Sequence, residues 1–308
     1  MKKMFIRIII WLAAGLPLAG FPGQTGRAQE NHRYFFGFGK SKITDAVPMK
    51  QRGCDAVQSI SDRLTPMGFS NRLLLEPVVD FEEYKKNQTP FTVTSDRVKT
   101  ELEACRKNLH EEDAIIIYSH THGLKGSAAE PGGLGLDDRG LEPWKQRTYL
   151  DWPSYAEQLL NLPAKTVVVL TMACHSGALV DYLNTDEKAK SLWQTRKESG
   201  RNFLVITSQD AESLSNPRRI DGEVINPFTY AVRKALEGKA DGYRKGGTYG
   251  QPDGKITLGE LADFIPDETR KYTRTGDESN DPKPRITGSF DTETVIAELP
   301  PPQTSAEK

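Results

Sequence analysis

The sequence predicts an α/β protein, a three-layer α/β/α sandwich around a mostly parallel sheet of about six strands. Two observations predict the layers. Unbroken apolar runs at residues 114–118, 166–171 and 203–207 have strand length and lack the polar alternation of a sheet with one wet face. The segments between them carry apolar residues three and four positions apart, the spacing of a helix with one buried stripe. Strands buried on both faces and alternating with helices require a parallel sheet covered on each side.

Residues 33–39, Arg-Tyr-Phe-Phe-Gly-Phe-Gly, read as the first strand. Residues 55–64 read as a helix with Ala56, Val57, Ile60 and Leu64 on one face, and residues 72–76 as a second strand. Ser95 is read as the N-cap of a helix whose stripe is Val98, Leu102, Cys105 and Leu109. The strand at 114–118 follows, then a helix at 154–162, the strand at 166–171, a polar helix at 188–197 and the strand at 203–207. A helix at 228–236 is closed by Gly238, and a short strand at 255–257 leads into a helix at 258–264. The glycine-rich stretches 126–140 and 242–254 read as surface loops. The tail from Thr273 is rich in Asp, Pro and Ser, so it is expected to wrap the surface and end in disorder.

The chain has 308 residues, with 41 basic and 42 acidic side chains, 37% hydrophobic and 27% charged. This composition supports a sizeable core and excludes wholesale disorder. The net charge of -1 gives no global attraction to nucleic acid or anionic lipid. A mean hydropathy of -0.56 argues against a polytopic membrane protein. Three cysteines are too few for a disulfide scaffold. Residues 1–28 have the layout of a secretory signal peptide: basic Lys2, Lys3 and Arg7, an apolar run at 8–18, then small residues at 26–28. The apolar run is short of the roughly 20 residues of a spanning helix, so stable membrane insertion after cleavage is not expected. Cleavage would remove Lys2, Lys3, Arg7 and Arg27 and no acid, leaving 37 basic against 42 acidic side chains and a mature charge of -5. The expected location is secreted or periplasmic. The organisation read from the sequence is signal peptide 1–28, one domain 29–272 and a C-terminal extension 273–308.

Two strand ends carry reactive side chains. In an open parallel sheet, ligands bind beyond the carboxyl ends of the strands. The run at 115–119 ends in His120-Thr121-His122-Gly123, and the run at 167–171 ends in Met172-Ala173-Cys174-His175-Ser176-Gly177. If the strands are neighbours, about 4.8 Å apart, a histidine and a cysteine project into one cleft. That is the pairing a thiol nucleophile and its acid/base partner need. The glycines that follow let backbone N–H groups approach a reacting carbonyl. The competing reading of Cys174 is a buried structural thiol.

Here the sequence resembles the caspase/metacaspase/legumain clan of cysteine peptidases. Residues 118–123 look like the clan's His-Gly strand end, and Ala173-Cys174-His175-Ser176-Gly177 resembles the Cys-His-Ser-Gly of metacaspases and the Ala-Cys-Glu-Ser-Gly of legumains. Arg52-Gly53-Cys54-Asp55-Ala56, with Leu64 and Gly68-Phe69, looks like the first helix and turn of metacaspases. Residues 228–238 and 253–261 resemble their small-subunit half, so the likeness runs over about 34–266. It implies peptide hydrolysis through a Cys174 acyl-enzyme, with His122 as general acid/base and the backbone N–H groups of Gly123 and Cys174 holding the oxyanion. It implies a peptide or protein substrate, no cofactor, and no obligatory third catalytic side chain.

The chain departs from the pattern two residues before the cysteine. Metacaspases carry Asp there and legumains Glu, as part of the primary specificity pocket; here the residue is Met172. Preference for Lys or Arg should weaken. Cys54 and Asp55 fall near another pocket-lining segment of metacaspases, and Ser208 and Asp210 follow the next strand and are expected to edge the same pocket. Asp55 also suits the N-terminus of a helix for dipole reasons alone. His120 is the alternative catalytic histidine, but only His122 precedes glycine. His175, His32 and His110 read as surface residues. A zinc site from His110, His120, His122 and Cys174 lacks the paired ligand spacing of structural zinc. Residues 249–260 resemble half of a calcium loop, but Tyr249 stands where an acidic ligand belongs. No metal is expected. Residues 185–201 are rich in Lys and Arg and lie where related peptidases are cut into two chains, so they are expected to be exposed and protease-sensitive. Cys54 and Cys105 are expected on opposite faces of the sheet and unpaired. The rival from another class is a catalytically silent caspase-fold protein that binds peptides or partners.

Overall fold

The computed structural model describes residues 32–40, 52–76, 92–127, 130–136, 149–273 and 281–301. The signal-peptide reading lies outside them. Among them no helix is long and apolar enough to cross a membrane.

The elements follow in order β1 (Arg33–Lys40), α1 (Arg52–Leu64), β2 (Phe69–Glu76), α2 (Ser95–Asn108), β3 (Ala114–His120), β4 (His122–Leu124), β5 (Gly133–Gly135), β6 (Tyr149–Asp151), α3 (Trp152–Leu160) and β7 (Thr166–Met172). The second half adds α4 (Gly177–Thr185), α5 (Glu187–Glu198), β8 (Asn202–Thr207), the hairpin β9 (Arg218–Ile220) and β10 (Glu223–Ile225), and α6 (Pro227–Lys234). The hairpin β11 (Tyr243–Arg244) and β12 (Thr248–Tyr249), then β13 (Lys255–Thr257), α7 (Leu258–Arg270), β14 (Arg285–Ser289) and β15 (Val295–Glu298) complete it. The main sheet has six strands in the order β14-β8-β7-β3-β1-β2. All neighbours are parallel except β14, which runs antiparallel to β8.

Period-two alternation on the central strands feeds two cores. Phe36 and Phe38 of β1, Ile115 and Ile117 of β3, and Val167 and Val169 of β7 pack against α2, α3, α4 and α5. Phe35, Ile116, Tyr118, Val168 and Leu170 face the other way, against α1, α6 and α7. Each fully buried Val, Ile or Phe contributes about 1.5–3 kcal/mol relative to exposure. Gly39 is required by proximity, since a Cβ there would stand 2.5 Å from the Gly53 carbonyl oxygen. The two glycines bring the start of α1 against the end of β1 and place Asp55 beside the strand ends. Helix α1, which carries Cys54, and helix α2, which carries Cys105, cover opposite faces of the sheet, and the two buried cysteines form no disulfide.

The structure corrects several readings. The N-cap of α2 is Thr94, whose hydroxyl accepts the Arg97 N–H at 3.2 Å; Ser95 is the first helical residue. The stretch 126–140 is not all surface loop: Leu134 and Leu136 are buried and β5 bridges β4 and β6. Helix α4 is absent from the sequence reading because it follows the cysteine motif without a turn signal. Helix α7 runs through Pro266 to Arg270, held by buried Ile265, Glu268 and Thr269. The Asp/Pro/Ser-rich tail supplies β14, the sixth strand, and β15, which pairs with β13. Its turn residues mark the bends between these strands. The polar helix read at 188–197 runs over residues 187–198 and is largely exposed, but Ala189 and Arg196 are buried.

Candidate active site

Strands β3 and β7 are adjacent and in register, with His120 opposite Met172. Their exits stay together because the Thr121 N–H donates to the Met172 carbonyl at 3.1 Å. The chain then places His122 on β4 and Cys174 just before α4. Gly123 presses on the backbone of Cys174: a Cβ at 123 would overlap the Cys174 carbonyl oxygen and stand 2.6 Å from its carbon. Only glycine permits this approach.

The turn around Cys174 is tightly held. His175 has φ 56°, a left-handed conformation that a side chain other than Gly adopts at a cost. Its N–H donates to the Ser213 carbonyl at 2.9 Å, and Nδ1 lies 2.9 Å from the Ala211 carbonyl. His175 is therefore buried against the loop after β8 and is not the surface residue expected. Ser208 Oγ donates to the Ala173 carbonyl at 3.1 Å and accepts the Ala173 N–H at 3.2 Å. Gly177 lets the same loop pass, since a Cβ there would stand 2.5 Å from the Cα of Asp210.

Cys174 is half-buried, and the Ser215 N–H donates to its Sγ at 3.2 Å. Burial pushes the thiol pKa up, while the N–H groups of Ser215, Cys174 and Gly123 pull it back. The N-terminus of α4 three residues on also favours the thiolate. A cavity of about 500 Å³ opens beside it. His120, His122, Met172 and Cys174 line it from the strand ends, and Asp55 and Ser59 from α1. Ser215, the β9–β10 hairpin, and Asn226, Thr229 and Arg233 close the other side.

The cavity thus gathers His122, Cys174, Met172 and Asp55, with Gly123 against the thiol. It does not gather the other three expected pocket residues. Cys54 is buried, and its thiol points at the carbonyls of Glu76 (2.8 Å) and Gly39 (3.7 Å). Ser208 is buried beneath the cysteine turn as described. Asp210 turns outward, accepting the Glu212 N–H at 3.0 Å and lying 3.8 Å from Lys283 Nζ. His120 lines the cavity, but its Nδ1 is 3.3 Å from both Tyr118 Oη and Thr229 Oγ1, which are 2.8 Å from each other. The four residues of the zinc reading are not together, because exposed His110 precedes β3 while the others follow its far end. Glu260 caps α7, accepting the Thr257 N–H at 2.8 Å and the Gly242 N–H at 2.7 Å, so the calcium-like stretch is a capping box. Among the described residues no group of three or more His, Cys, Asp or Glu is placed to hold a metal ion.

Sequence reasoning missed Ser215, Asn226, Thr229 and the hairpin. Asp221-Gly222 signals the hairpin's turn, where φ is 48° and 81°. Asn226-Pro227 signals the N-cap and first residue of α6. Neither signal says that these elements fold over the cysteine.

No family model matches the chain, and no curated protein matches it. Solved structures do. Caspase-1 from Spodoptera frugiperda aligns at a TM-score of 0.54 with 12% identity, covering 87% of this chain and 91% of that one. A protein of Geobacter sulfurreducens aligns at 0.51 with 14% identity, over 87% of this chain and 100% of that one. At such identities the likeness defines the fold. The chain has a caspase-like α/β/α sandwich, with a histidine and a cysteine at the carboxyl ends of its two middle strands.

Proposed function

We propose that the protein is a secreted or periplasmic cysteine endopeptidase of the caspase/metacaspase/legumain type. One observation carries this: Cys174 and His122 line a single cavity, with Gly123 held against the cysteine backbone. In this mechanism the Cys174 thiol gives its proton to His122, and Sγ attacks the scissile carbonyl. The N–H groups of Gly123 and Cys174 receive the oxyanion. As the C–N bond breaks, His122 protonates the leaving amine. Water then attacks the thioester, releasing the acid and restoring the thiol. Peptide or protein is the substrate and no cofactor takes part.

A catalytically silent, peptide-binding protein is the second reading, and Met172 in place of a pocket acid favours it. Peptidyl acyloxymethyl ketones separate the two, because they acquire a covalent bond only at a reactive thiol. Mass gain on Cys174, with hydrolysis lost in Cys174→Ala and His122→Ala of unchanged circular dichroism, supports the peptidase. Peptide binding with neither labelling nor hydrolysis supports the silent protein.

A further inference from the structure

Asn226 stands one turn-residue ahead of α6 and joins two structures that the sequence keeps apart. Its side-chain oxygen accepts the Phe228 N–H at 3.0 Å, capping the helix. Its Nδ2 donates to Ser215 Oγ at 2.8 Å. Ser215 belongs to the loop after β8, and its own N–H points at Cys174 Sγ at 3.2 Å. The Ser215 hydroxyl also lies 3.4 Å from Met172 Sδ and 3.4 Å from Ser208 Oγ. Asn226 is buried and lines the cavity that holds the thiol.

We propose that Asn226 is a positioning residue for the nucleophile, holding Ser215 so that its backbone N–H stays on Cys174 Sγ and stabilises the thiolate. This rests on the reading of Cys174 as nucleophile. The physical reason is that a hydrogen bond to a charged acceptor is about twice as strong as one between neutral groups. The Ser215 N–H therefore favours the anion over the thiol. The preceding residues of the loop are tied through their carbonyls, Ser213 to the His175 N–H at 2.9 Å and Leu214 to Gln209 Nε2 at 2.7 Å, and Asn226 ties the loop at Ser215 itself. The Ser215 hydroxyl donates toward Met172 Sδ or Ser208 Oγ, each at 3.4 Å, and the bond it accepts from Asn226 at 2.8 Å is the shortest of the three that hold it. The anchor also fits the local balance, in which burial opposes the thiolate and three N–H groups favour it.

Other charges reach the same cavity. His120 and His122 come from β3 and β4, Lys40 from β1 and Asp55 from α1. Arg219 and Glu223 come from the hairpin and Arg233 from α6. None is altered by substitution at 226, so a change in thiol titration reports the Asn226–Ser215 link.

The test is the rate of Cys174 carboxamidomethylation by iodoacetamide as a function of pH, read by peptide mass on the full chain. Sulfur forms its bond to the CH2 carbon as iodide leaves, so the rate follows the thiolate. Asn226→Ser keeps a capping oxygen but is too short to reach Ser215; Asn226→Ala removes both. Asn226→Ser should titrate about one pH unit higher and react about tenfold more slowly at pH 7. If Asn226→Ala fails to fold, Asn226→Ser still decides the question. A midpoint in Asn226→Ser equal to wild type, with an unchanged circular dichroism spectrum, overturns the proposal. The readout needs no peptide hydrolysis, so an inactive wild type counts against the peptidase reading and leaves this result standing.

Discussion

Gly123 and Cys174 touch backbone to backbone across the ends of β4 and β7, so closely that a Cβ on residue 123 would occupy the space of the Cys174 carbonyl. This contact sets both N–H groups near Sγ. Gly123→Ala should separate them and cost 10²- to 10³-fold in kcat, as loss of one oxyanion donor does. KM should change little. Steady-state kinetics on a fluorogenic peptide checks it, and an Ala variant of wild-type kcat would remove Gly123 from the mechanism.

On the peptidase reading, the charges around the cavity set the cleavage preference. Lys40, Arg219 and Arg233 line it against two carboxylates, Asp55 and Glu223. Glu223 is bound by Arg233 at 2.9 and 3.1 Å. With Met172 where an acid would sit, small or uncharged polar residues before the cut should be favoured over Arg and Lys. Met172→Asp should raise cleavage after Arg by about tenfold, the effect of roughly 1.4 kcal/mol. A peptide library returning only Arg and Lys for the wild type would refute this and direct attention to Asp55.

Helix α5 should resist proteolysis in the native protein. Arg196 is buried, donating to the carbonyls of Leu162 at 2.5 Å and Ala164 at 2.9 Å, with the guanidinium 5.6 Å from the Phe203 ring centre. Arg196→Ala leaves these carbonyls without their donor and should cost on the order of 3 kcal/mol. Brief trypsin treatment should leave residues 187–201 intact in wild type and cut them in the variant. Intact-mass analysis reads both.

Much of this was legible in the sequence, for identifiable reasons. β3 and β7 are apolar on both faces, so Ile115–Ile117 and Val167–Val169 could be strands in no other architecture than a covered sheet. That His122 and Cys174 line one cavity was legible because His122-Gly123 and Cys174 follow those strands directly. Cys54, Ser208 and Asp210 were misplaced because sequence position near a pocket does not fix which way a side chain points: the Cys54 thiol turns toward Glu76. Arg196 was unreadable for the opposite reason. Its partners are backbone carbonyls, which leave no mark on composition. The tail misled because β14 is a two-layer edge strand whose Arg285 and Thr287 carry polar side chains.

The thiols and their titration give a further check. Denatured, unreduced protein should show three thiols, since Cys54, Cys105 and Cys174 form no disulfide. Burial pushes the Cys105 thiol up from an ordinary 9.0 to about 12. The folded state then binds this proton more tightly than the unfolded one. Its stabilising effect is fully present below pH 9 and is lost as pH rises toward 12, at about 1.4 kcal/mol per pH unit. Urea unfolding at pH 8 and pH 10.5 should show a steeper alkaline loss in wild type than in Cys105→Ala. Parallel losses would mean that the thiol is not the group responsible.

The central claim is tested most directly by labelling with a peptidyl acyloxymethyl ketone, in wild type and in His122→Ala, followed by peptide mass. The account predicts one equivalent of probe on Cys174 in wild type, none on Cys54 or Cys105, and labelling slowed at least 100-fold in His122→Ala. Wild-type protein that takes up no probe while its Cys174 still alkylates with iodoacetamide would contradict it.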